Sequence, residues 1–298
     1  MNVVVIGSMN MDYVVNVNKL PKKEETISAT SFTTSIGGKG ANQAFAAKKL
    51  GAEVFMIGAV GNDEAGRRIT ERMKEENIDT TRIETVNVPT GNAMITVEES
   101  GSNTIVVYPG ANDYVSKNLI GKNEDVIKEA DFIILQLEIP IESVEYAVKL
   151  AKKYNKKVIL NPAPAKKIPE SLYEFIDILT PNETELESLS KEKDIKNGAK
   201  LLLHRGVKEV VVTIGDKGCY YLSKEDEFII DSIEANAIDT TAAGDSFNGA
   251  LAVGLCEGKS MKETLKFANI VGALTTTKHG AEASLPNRMD VDRIYINL

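Results

Sequence analysis

Short apolar runs rich in valine, isoleucine and leucine recur along most of the chain and predict β-strands. Most of them lack polar alternation, which is typical of parallel strands buried on both faces of a sheet. The predicted strands are Val3–Ile6, Val54–Val60, Phe132–Leu137, Val158–Asn161, Ile176–Thr180 and Val210–Ile214. Between them, apolar residues recur with the helical period, and the predicted helices are Ala41–Leu50, Ala65–Glu76, Ile141–Tyr154, Glu183–Leu189 and Asn197–Arg205. This alternation predicts an α/β fold, a doubly wound and mostly parallel sheet with helices on both faces.

Two segments interrupt this alternation with the apolar–polar pattern of β-hairpins. They are Asp12–Ile36 and Thr90–Tyr108, the second with a turn signal at ESGSN, residues 99–103. Since strands inserted between βα units cannot all join the parallel sheet, we expect a small antiparallel sheet that projects from the main body as a lid. One outward face of it is expected to carry Val14, Ile27, Met94 and Ile105. Such a face needs cover, which favours a homodimer formed through the lid over a hairpin on a monomer.

The last part of the chain, from Gly244 onward, is predicted to be helical. Ser246–Cys256 and Met261–Lys278 both have apolar positions at helical spacing, and Gly258 between them is well placed to end the first helix. The sequence contains no internal repeat and no low-complexity tract. We expect a single domain over residues 1–298, with the lid inserted at about 12–36 and 90–108.

The composition and charge are those of an ordinary globular protein. Of 298 residues, 43% are hydrophobic and 26% are charged, and the formal net charge is −8. This charge argues against nucleic acid or an anionic membrane as the main partner. The apolar runs are shorter than the ~20 residues that span a bilayer, and the N-terminus has no signal-peptide pattern, so a cytoplasmic location is expected.

The cysteines and histidines do not indicate a zinc site or a histidine-dependent triad. Cys219 and Cys256 lack metal-ligand spacing and are interpreted as small buried hydrophobic residues in a reducing compartment. His204 and His279 lie in no metal-binding motif. The candidate chemistry therefore lies in stretches that combine glycine with amide and carboxylate side chains.

Two such stretches lie near the N-terminus. GSMNMD, residues 7–12, follows the first predicted strand, where α/β sheets bind ligands, and its Asn10 and Asp12 suit vicinal hydroxyl groups. An Asx turn is the alternative interpretation. GGKGAN, residues 37–42, opens a predicted helix and offers Lys39 and Asn42 as donors. It matches neither a Walker A loop nor a dinucleotide-binding fingerprint.

Two further stretches place a carboxylate at a predicted helix start. In TPNETE, residues 180–185, Asn182 and Glu185 either orient a hydrated Mg²⁺ beside a phosphate or form a helix capping box. In DTTAAGDSFNGA, residues 239–250, small residues precede Asp245 at a helix N-terminus, where negative charge is favoured. This suits phosphoryl transfer from ATP, with helix N–H groups on the phosphoryl group and Asp245 accepting a proton from the attacking hydroxyl. A simple N-cap role for Asp245 is the alternative.

The order and spacing of these stretches resemble those of the ribokinase-type (PfkB) carbohydrate kinases over essentially the whole chain. The motifs are GSMNMD, GGKGANQA, VGNDEAG, LNPAPA, TPNETE, VTIGDKG and DTTAAGDSFNGA. Their variants are most similar to those of the ribose-phosphorylating branch. The resemblance implies a β-sheet lid, often shared across a homodimer, and ATP-dependent phosphorylation of D-ribose at its 5-hydroxyl. Another sugar or a nucleoside is the alternative substrate, and a non-catalytic sensor is the alternative outside enzymes.

The resemblance also implies roles for individual residues. Asp245 would be the catalytic base, beside an anion hole formed by Ala242, Ala243 and Gly244. The residues implied to bind the sugar are Asn10, Asp12, Gly38, Lys39, Asn42, Glu138 and Asp245. Those implied to bind ATP are Asn182, Glu185, Thr213, Gly215, Gly218, Gly244 and Asn269, with Glu185 acting through water ligands of Mg²⁺. Those implied to surround a K⁺ ion are Asp239, Thr241, Thr275, Lys278, Gly280 and Ser284.

Overall fold

A large, mostly parallel sheet forms the centre of the computed structural model, which describes residues 1–296; the last two residues of the predicted domain, 297–298, lie outside that part. Within it, the nine strands of this sheet are β1 (Asn2–Ile6), β4 (Glu53–Gly61), β5 (Ile83–Val86), β8 (Phe132–Leu135), β9 (Lys157–Leu160), β10 (Ile178–Leu179), β11 (Glu209–Thr213), β12 (Cys219–Leu222) and β13 (Glu227–Ile230). Their order is β13-β12-β11-β10-β9-β8-β1-β4-β5. The strands from β11 to β5 in this order pair in parallel, and β12 and β13 continue the sheet in antiparallel pairing. The predicted α/β class is confirmed.

The central strands are apolar at consecutive positions because the sheet is covered on both faces. In β1, Val3 and Val5 belong to one hydrophobic core, and Val4 and Ile6 belong to the other. All four side chains are fully buried. This burial accounts for the lack of polar alternation in the sequence.

In residues 1–296, ten α-helices cover the two faces. The core that contains Val3 is packed by α1 (Lys39–Lys49), α2 (Glu64–Glu75), α8 (Ala243–Cys256), α9 (Met261–Thr275) and α10 (Arg288–Tyr295). The opposite core is packed by α3 (Lys117–Lys122), α4 (Glu124–Glu129), α5 (Ile141–Lys153), α6 (Glu183–Ser190) and α7 (Ile195–His204). Each predicted helix is confirmed, and Gly258 follows α8 with a φ of 76°, as a helix-ending glycine does.

A second sheet, which has four strands within the described residues, is built from the two predicted hairpin segments. Its strands are β2 (Asn10–Val17), β3 (Ser31–Gly37), β6 (Gly91–Glu98) and β7 (Asn103–Tyr108), in the order β3-β2-β6-β7. The two outer pairs are antiparallel, as predicted. The central pair of β2 and β6 is parallel, because both strands leave the main body side by side, with Asn10 opposite Gly91.

The prediction of one apolar face with four named residues on this sheet is wrong. Val14 of β2 and Ile105 of β7 pair with the same residue of β6, one from each side. Both side chains therefore lie on the face that carries Asp12. Met94 pairs with the next residue of β2 and therefore lies on the opposite face. Ile27 lies in the segment between β2 and β3, outside the sheet. The sequence pattern alone does not reveal the register that separates these residues.

Of the two cysteines that were expected to be buried, only Cys219 is fully buried. Cys219 is buried, Cys256 is half-buried, and both thiols are free. Over residues 1–296, the helices are too short or too polar to cross a bilayer.

Candidate active site

The motif residues meet along the carboxyl edge of the nine-stranded sheet. GSMNMD follows β1, Glu138 follows β8, and Asn161 follows β9. TPNETE follows β10 in the same way. Because these strands are parallel neighbours, their carboxyl ends lie on one edge, where ligands bind in open α/β sheets.

The glycine-rich loop before α1 is held by Glu138. One oxygen of its carboxylate accepts hydrogen bonds from the backbone N–H of Lys39, at 3.0 Å, and from the hydroxyl of Ser8. Gly38 has a φ of 86°, and a Cβ there would lie 2.7 Å from the backbone nitrogen of Asn10. Glycine is therefore required at that position. Glu138 thus holds this loop in place, and its contact with a sugar stays a prediction.

Asp245 lies in the first turn of α8 and is buried. Its Oδ2 accepts from Nδ2 of Asn42 at 2.8 Å, and its Oδ1 accepts from Nε2 of Gln43 at 3.2 Å. The N-cap is Ala242, with a φ of 61° and no capping side chain. The alternative that Asp245 caps the helix is therefore wrong. The N–H of Ala243 donates to the backbone oxygen of Thr240 at 3.3 Å. Since no side chain caps α8, the N–H groups of Gly244 and Asp245, which follow it, are available to an anion.

Carboxylates and one ammonium group share this region. Burial, together with the negative charges of Glu138 and Asp245, raises the pKa of Asp12 to about 7. The charge of Asp245 raises the pKa of Lys39 above its ordinary value, although burial opposes this. Lys39 therefore remains an ammonium group at neutral pH. Asp12 changes its charge near neutrality, and hydroxyl groups that donate to it would favour its ionised form.

Asn112 is a candidate residue that sequence reasoning missed. It lies in a 3-10 turn at Gly110–Tyr114 and is 1% exposed. Its Nδ2 donates to Oδ1 of Asn10 at 2.7 Å, and its Oδ1 accepts from the N–H of Met9 at 2.9 Å. The Oδ1 of Asn10 is thereby engaged, which leaves the Nδ2 of Asn10 as the donor for a ligand. The pair is 102 residues apart in sequence, and no local pattern signals it.

A cavity of about 970 Å³ adjoins the start of α8. Its lining includes all but Glu185 of the residues implied to bind ATP, namely Asn182, Thr213, Gly215, Gly218, Gly244 and Asn269. A Cβ built on Gly215 or Gly244 would meet no other residue within 4 Å, so the space beside both is open. Residues 232–237, which the sequence analysis did not single out, also line it. The volume lies at the upper end of the range of about 300–1,000 Å³ for small-molecule sites and fits a nucleotide.

Asn182 and Glu185 form the capping box at the start of α6. Oδ1 of Asn182 accepts from the N–H of Glu185 at 2.8 Å, and Oε2 of Glu185 accepts from the N–H of Asn182 at 2.9 Å. Burial raises the pKa of Glu185. The capping interpretation is confirmed, and the role toward Mg²⁺ stays a prediction. The box uses one oxygen of the Glu185 carboxylate, so the other fits a water ligand of the metal.

Asp239 joins the two loops that the resemblance places around K⁺. Its Oδ1 accepts from the N–H of Thr241 and its Oδ2 from that of Gly280, both at 2.9 Å. Thr275 and Ser284 are buried, whereas the side chain of Lys278 is exposed. In the described part of the chain, no group of three or more His, Cys, Asp or Glu is arranged to hold a metal ion. Backbone carbonyl and hydroxyl oxygens of these loops are suitable donors for K⁺.

A nucleotide-sized cavity at a helix N-terminus, next to a buried carboxylate in a polar pocket, suits an α/β phosphotransferase. A sequence model of the pfkB family carbohydrate kinases matches residues 1–288, and the chain belongs to that family. It is 41% identical over 292 residues to ribokinase of Haemophilus influenzae, covering 96% of this chain and 95% of that protein. It is 35% identical over 294 residues to deoxyribokinase of Salmonella typhi, covering 96% of each.

Solved structures of ribokinases have the same fold as this chain. A ribokinase from Thermotoga maritima superimposes with a TM-score of 0.93 at 37% identity and 99% coverage of each chain. A ribokinase from Arabidopsis thaliana, complexed with ribose and ATP, has a TM-score of 0.91 at 34% identity and 98% coverage of each chain. The protein is therefore an enzyme of the ribokinase type, a kinase that phosphorylates a hydroxyl group of a sugar.

Proposed function

We propose that this kinase transfers the γ-phosphoryl group of ATP to the 5-hydroxyl of D-ribose, which gives ribose 5-phosphate and ADP. The observation that carries the proposal is the position of Asp245. It lies one residue beyond Gly244, which lines the nucleotide-sized cavity, and it is hydrogen-bonded to Asn42 of the glycine-rich helix start. The Arabidopsis ribokinase, complexed with ribose and ATP, supports the same pair of ligands in this fold.

In the proposed mechanism, Asp245 accepts the proton of the 5-hydroxyl while that oxygen attacks the γ-phosphorus and the bond to ADP breaks. The backbone N–H groups of Gly244 and its neighbours at the start of α8 form the anion hole that stabilises the transferring group. General base catalysis contributes about 10²–10⁴-fold. Positioning of the two substrates end to end supplies much of the rest.

The sugar is proposed to lie between β2 and the start of α1. Its hydroxyl groups would contact Asn10, Asp12, Gly38, Lys39, Asn42 and Glu138. Because the half-buried carboxylate of Asp12 is unfavourable without a hydroxyl partner, a sugar that lacks this hydroxyl would be phosphorylated less well. The similarity to a deoxyribokinase makes 2-deoxyribose the second candidate substrate.

The remaining predictions belong to the same proposal. Mg²⁺, held through water near Glu185, would neutralise charge on the phosphates, and K⁺ at the Asp239 loops would support the anion hole. Residues 1–298 would form one domain, with the four-stranded sheet as a lid that excludes water from the site. The face of that sheet which carries Asp12 also carries apolar side chains, and these support its packing against a second copy of the chain. A cytoplasmic location stays a prediction.

A substrate comparison tests the proposal. Release of ADP from MgATP is measured with ribose, 2-deoxyribose, fructose and adenosine, each with potassium or with sodium. We expect the highest kcat/KM with ribose and a further increase with potassium. A preference for adenosine or fructose would contradict the proposed sugar contacts, and a lack of turnover with every acceptor would contradict the kinase reaction.

A further inference from the structure

The two glutamines of the chain, Gln43 and Gln136, are hydrogen-bonded to each other behind Asp245. Gln43 lies on α1 and Gln136 directly follows β8, and both side chains are almost completely buried. Nε2 of Gln136 donates to Oε1 of Gln43 at 2.6 Å. Nε2 of Gln43 in turn donates to Oδ1 of Asp245 at 3.2 Å. A chain of two amides therefore ends on the carboxylate.

The direction of this amide chain is fixed by the chemistry at its end. An ionised carboxylate only accepts hydrogen bonds, so Gln43 must turn Nε2 toward Asp245 and Oε1 toward Gln136. Gln136 must then turn Nε2 toward Gln43. Its own Oε1 is left buried without a hydrogen-bond partner among residues 1–296. A buried acceptor without a partner is unfavourable, so Gln136 keeps this orientation at a cost in stability.

Neighbouring residues hold the amide chain in place. Gly7 provides the space for Gln136, since a Cβ at position 7 would lie 2.0 Å from Oε1 of Gln136. Oδ1 of Asn161 also accepts from Nε2 of Gln43, at 3.3 Å, and Nδ2 of Asn161 donates to the backbone oxygen of Thr180 at 3.1 Å. The amide of Gln43 is thus oriented by residues that follow two adjacent strands of the sheet.

We propose that Gln43 and Gln136 are positioning residues for phosphoryl transfer, which fix the orientation of the Asp245 carboxylate. The inference rests on the proposed role of Asp245 as the base. The charged groups around this carboxylate are Lys39 of α1, Asp12 of β2, Glu138 after β8 and Glu185 of α6. Gln43→Met leaves all four of these groups in place, so a change in kcat in that variant reports on the amide chain.

The first test is Gln43→Met, which retains the length of the side chain and removes its donor. We expect kcat for ribose phosphorylation to fall by about 10- to 100-fold, because the base is no longer held in place. The KM values for ribose and ATP should change much less.

The matched control is Asn123→Leu. Asn123 is a buried amide between α3 and α4, and its Nδ2 donates to the backbone oxygen of Leu119 at 2.8 Å. Its replacement removes a buried amide hydrogen bond outside the amide chain. The control is expected to lower the melting temperature and to leave kcat and the KM for ribose unchanged.

The second test reverses the direction of the amide chain. In Gln136→Glu, an ionised carboxylate accepts from Nε2 of Gln43 and so turns Oε1 of Gln43 toward Asp245. We expect a larger loss of kcat than in Gln136→Met, with recovery at lower pH, where the new carboxyl group is protonated and donates. In the Gln43→Met background, Gln136→Glu should add little further loss, because the connection to Asp245 is already broken.

Asp245→Asn separates the failure of this inference from the failure of the proposed function. If Asp245→Asn loses turnover while Gln43→Met and Gln136→Glu retain the kcat of the parent enzyme, the amide chain has no positioning role and the base assignment stands. If Asp245→Asn is fully active, the base assignment fails first. Should Gln43→Met not fold, Gln136→Glu still decides the question.

Discussion

Asp12 has a carboxyl group that changes its charge near neutral pH, and this has consequences for stability. Its pKa is about 7 in the folded protein against an ordinary value of 3.8, so between these values the folded chain holds a proton that the unfolded chain has released. The free energy of unfolding therefore falls as pH rises through this range. We expect Asp12→Asn, without ligand, to gain in melting temperature relative to the parent from about pH 4 to pH 7 and to keep this gain above it.

The same substitution should weaken ribose binding, because the carboxylate acceptor for a hydroxyl group is lost. Thermal unfolding across pH, with ribose titration calorimetry as the companion measurement, checks both effects. A difference in melting temperature that does not vary with pH would contradict the assignment of a raised pKa to Asp12.

Asn112 leads to a second prediction about a single side chain. In Asn112→Asp, the acceptor for the N–H of Met9 is retained, but the donor to Oδ1 of Asn10 is lost. Asn10 can then turn its amide, so that the donor offered to the sugar is lost. We expect the KM for ribose to rise by roughly 10-fold, with a smaller effect on kcat. Steady-state kinetics that leave the KM unchanged would show that this pair has no part in sugar binding.

Sequence reasoning finds side chains that lie in a local motif and misses those that reach the site from elsewhere in the chain. Asn10, Asn42 and Asp245 each follow glycine or lie within a glycine-rich stretch at an element boundary, so the spacing alone marks them. Asn112 and Gln136 are single amides in otherwise ordinary surroundings. Their partners are 102 and 93 residues away, and only the folded chain brings them together.

The start of helix α8 connects the cavity to the proposed base. Gly244 lies in the first turn, and a Cβ there would meet no other residue within 4 Å. Gly244→Ala should therefore fold, with a gain of up to about 1 kcal/mol from helix propensity. Its methyl group would project where the phosphoryl group is proposed to lie, and we expect kcat/KM for ATP to fall at least about 10-fold. Parent-like kinetics in a stable variant would show that no ligand approaches this backbone.

The elements found from the sequence are those whose burial leaves a periodic pattern. Six strands of the large sheet are recognisable because both faces are covered and most positions are apolar. Strands β12 and β13 are four residues each, and they extend the sheet in antiparallel pairing beyond the βα units. The parallel pairing of β2 with β6 depends on where two distant hairpins leave the body, which no local pattern encodes.

At the scale of the whole molecule, we predict that two copies of the chain form a dimer through the four-stranded sheet. Ile105 is 54% exposed on the face that carries Asp12, and Val106 is 69% exposed on the opposite face. We expect Ile105→Glu to shift the protein from dimer to monomer and to reduce kcat/KM for ribose, because the lid loses its partner. Val106→Glu is the matched control and should remain dimeric. Light scattering that finds equal masses for both variants would contradict assembly through this face.

The most direct test of the central claim is the turnover of Asp245→Asn with ribose and MgATP. The substitution retains size, and Asn42 can turn its amide so that its Oδ1, which has no hydrogen-bond partner among residues 1–296, accepts from the new amide group. Melting temperature and nucleotide binding should therefore match those of the parent. Loss of the base should lower kcat by about 10²–10⁴-fold, measured as ribose 5-phosphate formed in single-turnover conditions. A folded Asp245→Asn enzyme with kcat within a few-fold of the parent would contradict the account.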